Sequence, residues 1–387
     1  LLDGADAAAV DTRRDQAFGL LRAGDLAFKS AGQDPKPFYQ QSLSLYQALG
    51  DIWEQTQVLA ALGWVAAHHG AIEEAHKIGE EALDLARAVG DCKLTADVLW
   101  LLGTLAIIEG DVEESSRLLG ESIDIRKTVG DRVTDIVSGP LDLGMTLTWI
   151  GRMAEADKIR EEALAIYEEQ GQSGQIALAH VRLATSKMHV GQFEAMKQHA
   201  QIGLQLSRKA GSQRGAGLAL WLLGSYSIAK GQLDRAALRM QESLAIFRSI
   251  EGAAEIGWVL ATFGVILQQQ GKPVDAQKYI CDALHHASGV LGLITILMSL
   301  VIYMELLIDK SQEVSALEIH TLLKRYPLYT TSPAWSFLNL MSRLAAVRAA
   351  LPAEAAAAAE ARGYARDLQE TAAEVLVELE GDLAGLA

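Results

Sequence analysis

The residues best suited to chemistry in this sequence are its nine histidines and several adjacent pairs of glutamates. Two histidine pairs, His68-His69 and His285-His286, are neighbours in the chain. Because neighbouring residues on a helix point about 100° apart, such pairs are poor chelators of a metal ion. The pair Glu73-Glu74 falls at the start of a predicted helix, where negative charge complements the helix dipole. We therefore predict neither a metal site nor an acid–base pair from these residues.

Motifs for catalysis and for nucleotide binding are missing from the sequence. It has no Gly-x-x-x-x-Gly-Lys-Ser/Thr phosphate loop, no Gly-x-Gly-x-x-Gly that opens a helix after a strand, and no Gly-x-Ser-x-Gly elbow. None of the residue patterns supplies an activated nucleophile. We therefore expect a protein that is not an enzyme and that requires no cofactor.

The acidic composition of the chain argues against some classes of binding partner. Among 387 residues, 34 Lys plus Arg stand against 49 Asp plus Glu, which gives a net charge of −15. Nucleic acid and anionic membrane surfaces both select for positive charge, so neither is an expected partner. Half of the residues are hydrophobic, which argues against disorder.

Cysteine content and the start of the chain bear on the compartment. Cys92 and Cys281 are too few for a disulfide framework, which favours a cytoplasmic protein with reduced thiols. The start, Leu1-Leu2-Asp3-Gly4, has no basic segment before an apolar run and therefore does not resemble a signal peptide. It also lacks Met, which favours a segment of a longer polypeptide.

A two-residue mark recurs along the chain and defines a repeat. The marks are Leu62-Gly63, Leu102-Gly103, Leu143-Gly144, Leu183-Ala184, Leu223-Gly224 and Phe263-Gly264. Seven residues after the second residue of each pair there is a glycine: Gly70, Gly110, Gly151, Gly191, Gly231 and Gly271. A further glycine closes the unit at Gly90, Gly130, Gly171 and Gly211, and is displaced by one residue at Gly252. Six units with a period of 40 or 41 residues follow from this pattern.

Each unit has the apolar spacing of two amphipathic helices, for example over 52–69 and 72–89. Glycine just past a helix supplies the left-handed residue that ends it. An aspartate often follows and can cap the next helix, as at Asp51, Asp91, Asp111 and Asp131. Small residues at recurring positions allow helices to approach closely; they are Ala75, Ala156, Ala236, Ala276, Ala82, Ala163 and Ala283.

The Leu-Gly marks and the recurring alanines resemble the tetratricopeptide repeat (TPR), although the unit here has about 40 residues rather than 34. The longer unit and the terminal segment from Ala353 to Leu368 are similar to repeats of bacterial STAND-class signalling NTPases and large ATP-dependent transcription activators. The resemblance implies an all-α, right-handed superhelical solenoid of antiparallel helix pairs. It also implies a covalently attached NTPase or effector domain outside this chain.

The predicted organisation has four parts. Residues 12–50 form a degenerate N-terminal pair, with helices over 12–31 and 38–49 that are separated by Pro35 and Pro37. Six TPR-like repeats occupy 51–290, and a divergent seventh pair occupies 291–326. A capping pair covers 332–380, with helices over about 333–349 and 353–380.

One segment raises the question of a membrane. Residues 287–304 carry no charge until Glu305 and are long enough to cross a bilayer at about 18 residues. The segment lies in register with the repeats and has no basic flanks. We favour a buried helix of the solenoid over a transmembrane span, and we expect no membrane association.

The strongest functional signal is the placement of tryptophan. If the first helix of each pair lines the concave side, as the TPR resemblance implies, the Leu-Gly register identifies the inward positions. Five of the seven tryptophans fall on them. The candidate groove residues are Trp64, His68, Asp97, Trp100, Met145, Trp149, His189, Trp221 and Trp258. An exposed aromatic groove is typical of a binding site.

Two interpretations of these tryptophans remain open. In the first, they line a groove that receives a protein, a peptide or a small molecule, with His68, Asp97 and His189 as polar contacts. In the second, they are core residues between neighbouring helices. The groove interpretation predicts that Trp100→Ala and Trp221→Ala weaken ligand capture and leave melting nearly unchanged. The preferred function is a sensing module of a signalling NTPase, and the alternative is a free-standing adaptor for protein assembly.

Overall fold

The computed structural model describes residues 12–30, 34–129, 143–287, 289–331 and 340–385, and their secondary structure is entirely helical. Consecutive helices pack as antiparallel pairs, which confirms the predicted all-α repeat fold. The chain divides into two compact units. The first holds residues up to 105 together with 117–130, and the second holds 106–116 and 131–387.

The first unit is built from short-range pairs. Its helices are α1 (Arg13–Ser30), α2 (Lys36–Leu49), α3 (Ile52–His68), α4 (Ile72–Val89), and most of α5 (Cys92–Ile108) and α6 (Val112–Val129). Ala17, Tyr39, Tyr46 and Val58 are among the residues that join α1, α2 and α3 in one buried core. Helix α2 begins at Lys36, earlier than the predicted residue 38, because proline is tolerated in the first turn, where its missing N–H has no helical acceptor.

The second unit continues the same construction. Its helices are α7 (Leu143–Trp149), α8 (Met153–Glu169), α9 (Ser173–His189), α10 (Phe193–Ala210), α11 (Gln213–Ala229), α12 (Leu233–Ser249), α13 (Ala253–Gln269), α14 (Pro273–His285), α15 (Gly289–Asp309), α16 (Glu313–Leu323), α17 (Pro327–Thr331), α18 (Leu340–Ala350), α19 (Ala353–Ala365) and α20 (Leu368–Ala384). The recurring alanines Ala156, Ala236 and Ala276 have no exposed surface, as expected where helices approach closely.

The turns between helices explain the glycine period. Ten of the repeat glycines have positive φ: Gly50, Gly70, Gly90, Gly110, Gly151, Gly171, Gly191, Gly211, Gly231 and Gly271. After each of several such turns, the next N–H donates back to a carbonyl of the preceding helix, as Ser212 N does to Ser207 O at 2.9 Å. This hydrogen bond satisfies a carbonyl that the helix end leaves unpaired.

Within the described residues, two turns at the same period have a residue other than glycine in the left-handed conformation. Glu251 adopts φ 54° at the position of Gly211, and Ser311 adopts φ 59° at the position of Gly271. Both turns keep the returning hydrogen bond, from Gly252 N to Phe247 O at 3.0 Å and from Gln312 N to Leu307 O at 2.8 Å. The sequence pattern places the closing glycine of this unit one residue late, at Gly252. In the structure the turn itself is not displaced, because Glu251 takes the left-handed conformation.

Aspartates cap helices as predicted. Carboxylate oxygens of Asp91 and Asp111 accept hydrogen bonds from Leu94 N at 2.9 Å and Glu114 N at 3.0 Å, and Asp51 accepts a longer one from Glu54 N at 3.4 Å. Asp131, which was also expected to cap, lies outside the described residues. Negative charge at these positions stabilises helix starts.

Helix α15 contains the apolar segment considered above. Within the described residues, Leu291–Asp309 is the one stretch long and apolar enough to cross a membrane, and 89% of its most apolar window is buried inside the protein. Ile296, Leu300 and Val301 have almost no exposed surface. The segment therefore has the burial of a core helix.

The C-terminal cap differs from the prediction in one respect. The single helix expected over 353–380 is two helices, α19 and α20, which are separated at Arg366 and Asp367. The carboxylate of Asp367 accepts hydrogen bonds from Gln369 N and Glu370 N at 2.8 and 2.9 Å, and so starts α20. Helix α20 packs against α14 and α15, where Tyr303 Oη donates to Glu378 at 2.8 Å.

Candidate ligand-binding cavity

The second unit contains a cavity of about 720 Å³, which is within the size range of ligand sites. Its walls come from the first helices of successive pairs, α7, α9, α11 and α13, and from α15. Leu291, Ile294 and Met298 of α15 and Leu328 of α17 complete it. Because the first helices follow one another at a 40-residue period, the same helix positions recur around the cavity.

Five of the nine predicted groove residues line this cavity: Met145, Trp149, His189, Trp221 and Trp258. Four further lining residues of α9, Leu178, Val181, Thr185 and Met188, have their counterparts forty residues later on α11 in Leu218, Trp221, Ser225 and Ile228, which also line the cavity. Position within the repeat therefore predicts which side of the first helices faces the cavity.

The three cavity tryptophans are also tightly packed. Trp149, Trp221 and Trp258 are only 2%, 6% and 8% exposed. Trp221 Nε1 donates to Thr262 Oγ1 at 2.9 Å, and Trp258 Nε1 donates to Leu291 O at 3.2 Å. These three tryptophans therefore belong to the packed core and at the same time line the cavity. The burial of Trp221 contradicts the expectation that Trp221→Ala leaves melting nearly unchanged, because the substitution removes a core side chain.

Hydroxyl groups in the cavity turn toward their own helices. Thr148 Oγ1 donates to Gly144 O at 2.7 Å, Ser225 Oγ to Trp221 O at 3.0 Å, and Thr262 Oγ1 to Trp258 O at 2.7 Å. These hydroxyl groups already have hydrogen-bond acceptors, so the helices that carry them present mainly methyl groups and aromatic surface to the cavity. Such a wall favours apolar ligand groups.

The cavity lining includes an ion pair and a buried arginine. Arg214, at the start of α11, forms an ion pair with Glu255, in the first turn of α13, with 2.7 Å between Nε and Oε1. Arg160 of α8 is buried and donates from Nη1 to Ser186 Oγ and to Arg182 O. Burial, and secondarily the charge of Arg160, lowers the pKa of His189 to about 3, so that this imidazole is neutral at physiological pH.

The other four predicted groove residues belong to the first unit. The rings of Trp64 and Trp100 meet edge to face at 5.4 Å between centroids, and the Arg126 guanidinium lies 5.7 Å from the centroid of Trp100. Asp97 forms an ion pair with the buried Arg126. These contacts hold α3, α5 and α6 together.

His68, the remaining predicted groove residue, packs edge to face on Phe28 at 5.0 Å between ring centroids. His68 is half-buried in this contact between α1 and α3. Its ring therefore has a packing role within the first unit, and ligand binding by His68 stays a prediction.

Sequence reasoning missed the charged part of the lining, Arg160, Arg182, Arg214 and Glu255. No sequence signal pairs Arg214 with Glu255: they lie 41 residues apart, one residue off the 40-residue spacing between the Leu223-Gly224 and Phe263-Gly264 marks of their helices. Sequence reasoning also missed the contribution of α15, which has Tyr303-Met304 where the 40-residue period would place the Leu-Gly mark.

The described residues contain no group of three or more His, Cys, Asp or Glu side chains that could hold a metal ion. Outside the cavity, His180 and His199 form a pair with 2.9 Å between their Nδ1 atoms.

Comparison with known proteins supports the fold. No protein-family model and no curated protein sequence matches the chain. Among solved structures, a Rap protein complexed with competence and sporulation factor is similar with a TM-score of 0.55 and 13% identity, over 97% of this chain and 99% of that one. The apo form of RapI is similar with a TM-score of 0.52 and 13% identity, over 70% and 97%.

A third similar structure is a STAND protein with a tetratricopeptide repeat sensor from Pyrococcus horikoshii. It has a TM-score of 0.50 and 14% identity, over 77% of this chain and 50% of that one. At these identities the likeness establishes a TPR-like helical repeat fold.

Proposed function

We propose that this chain is a non-catalytic recognition module that binds a peptide or a small molecule in the cavity of its second unit. The observation that carries the proposal is the apolar lining of this 720 Å³ cavity by equivalent positions of four successive first helices. Because Trp221 and Trp258 have their N–H groups bonded within the protein, they offer aromatic surface without an unsatisfied donor.

The similar solved structures support a binding role. One of them is a Rap protein in complex with competence and sporulation factor. Another contains a tetratricopeptide repeat sensor within a STAND protein. Both are compatible with a cavity whose function is to hold a ligand.

We further propose that binding is coupled to an NTPase or effector domain on the same polypeptide. A ligand that touches α7, α9, α11, α13 and α15 at once favours the arrangement of pairs in which all five contact it. Coupling requires a higher affinity for that arrangement than for another one. The alternative is a free-standing adaptor, in which the same cavity assembles a protein complex without an attached domain; the reading frame that encodes the chain distinguishes the two.

Affinity selection tests the binding proposal. A random peptide pool is passed over the immobilised chain and over the variant Leu218→Trp, which adds bulk to a half-buried residue of the cavity lining. The matched control is Leu238→Trp, at an exposed position of α12. We expect peptides retained by the wild type and by Leu238→Trp to be lost from Leu218→Trp. Equal retention by all three proteins, with each peptide resynthesised and measured singly, would place binding outside the cavity.

A further inference from the structure

The charge of the cavity lining is opposite to that of the chain. The protein carries a net charge of −15. The charged side chains among the described lining residues are three arginines and one glutamate, namely Arg160, Arg182, Arg214 and Glu255. A cationic lining in an acidic protein attracts anionic groups, and it does so more strongly where apolar walls exclude water.

Arg214 occupies the edge of the cavity in a way that leaves it accessible. Its partner Glu255 is buried, whereas the Arg214 side chain is about half exposed. The hydrogen bond and the ion pair of Arg214 use Nε and Nη2, and both reach the same oxygen, Oε1 of Glu255. A guanidinium has five N–H donors in a planar fork, so this arrangement leaves donors that a second carboxylate can approach.

A second arginine of the lining, Arg160, is buried. It lies beside α9, and His189 lies near it on the lining. The lowered pKa of His189 has burial as its main cause and the positive charge of Arg160 as its second cause. The neutral imidazole therefore adds nothing to the charge of the site, and the guanidinium determines its sign.

We propose that the ligand of this cavity is an amphiphile: an apolar chain that carries a carboxylate, with the apolar part against Trp221, Trp258 and Leu178 and the carboxylate toward the lining arginines. This inference rests on the proposed binding function and specifies the chemistry of the ligand. The shared chemistry fits two sources, the free C-terminus of an apolar peptide and a fatty acid.

Calorimetry with matched probes tests the charge requirement. Octanoate, octanol and octylammonium have the same apolar chain and differ in charge. We expect octanoate to bind about tenfold more tightly than octanol, because a hydrogen bond to a charged group contributes more than a neutral one. Octylammonium is expected to bind most weakly. N-acetyl-Leu-Leu-Phe as free acid and as amide forms the peptide arm, and the arm with the higher affinity identifies the source.

Variants assign the effect to the arginines. The double variant Arg182→Gln/Arg214→Gln is expected to lose the preference for octanoate over octanol. If circular dichroism shows that the double variant is unfolded, the two single variants are measured instead. Arg208→Gln on the exposed face of α10 is the charge-matched control and should keep the preference. Equal affinity for octanoate and octanol in the wild type, or an unchanged preference in a folded variant, would overturn the inference. In that case, if peptides are still retained by the wild type and lost from Leu218→Trp, the proposed binding function stands without the preference for a carboxylate. If no peptide is retained by the wild type, both the binding function and the inference fail.

Discussion

The imidazole rings of His180 and His199 contact each other through their Nδ1 atoms, which lie 2.9 Å apart between α9 and α10. Such a contact requires one ring to donate a proton and the other to accept it. If both rings are protonated, two donors and two positive charges face each other. The pair is therefore compatible with the neutral state and incompatible with the doubly charged one.

Stability is predicted to fall as the pH falls below about 6.5, the ordinary pKa of histidine. Burial lowers the pKa of both His180 and His199, and His180 adds a repulsive charge at His199. The unfolded chain then binds protons that the folded chain does not, so acidification favours unfolding. Urea unfolding at pH 7.5 and pH 5.0 measures this loss.

Neighbouring charges must be considered in the same experiment. Glu168 raises the pKa of His180, while Lys187 lowers the pKa of His199 and the Asp157 and Glu161 carboxylates raise it. Burial dominates these contributions. The variant His199→Asn keeps a polar group at the δ position and removes one of the two titrating imidazoles, so it should lose less stability on acidification than the wild type. An identical loss in the variant would show that groups other than His199 determine the pH response, such as His320 of α16, whose pKa burial lowers to about 4.

Glu251→Gly is predicted to stabilise the protein by about 0.5 to 1 kcal/mol. Glu251 is held at φ 54°, a conformation that costs little for glycine and more for a residue with a Cβ atom. Thermal melting compares this variant with the wild type. Gly211→Ala, at the equivalent turn with φ 71°, should have the opposite effect. A lower melting temperature for Glu251→Gly would mean that the glutamate side chain stabilises the turn.

Glu305→Gln is predicted to stabilise the protein at pH 8 by about 1 to 3 kcal/mol, an order-of-magnitude value from the pKa shift. Glu305 is 4% exposed. Its burial, and secondarily the Asp309 charge, raises its pKa to about 7, against the lowering effect of Arg343. Because the folded pKa lies above the unfolded one, ionisation penalises the folded state as the pH rises from 4.5 through 7. Denaturant unfolding at pH 8 and pH 4.5 should show the gain at pH 8 and little difference at pH 4.5.

Trp221→Ala is predicted to destabilise the protein by about 3 to 5 kcal/mol, the usual cost of truncating a large buried aromatic side chain. Trp100→Ala should cost less, because Trp100 is only partly buried. Denaturant unfolding of the two variants, with Trp53→Ala as an exposed comparison, tests the order. Equal costs for Trp100→Ala and Trp221→Ala would contradict the packing of the cavity wall.

The periodic pattern predicts the part of the fold that repeats. Helix positions, turn glycines and the inward register of α9 follow from it, because each helix pair contacts mainly its sequence neighbours. The closure of the cavity by Leu291 and Ile294 of α15 does not follow, since that helix has no Leu-Gly mark in register and its contacts come from a diverged pair. The start of α20 at Asp367 is likewise a local capping effect within an otherwise continuous helical pattern.

Electrostatic features of the site were less predictable. Arg160 and His189 influence each other across two helices, α8 and α9, and neither residue belongs to a recognisable motif. Whether a charged side chain faces solvent or lines the cavity depends on how the helices pack around it. That information comes from packing and is absent from the residue types alone.

Binding in the cavity can be observed directly by fluorine NMR on protein labelled with 5-fluorotryptophan. A peptide retained in the selection is titrated into the wild type, and each resonance is assigned with a Trp→Phe variant. We predict that the signals of Trp149, Trp221 and Trp258 shift on binding, while those of Trp64 and Trp100 in the first unit stay in place. Shifts at Trp64 and Trp100 with silent signals at Trp149, Trp221 and Trp258 would contradict the account.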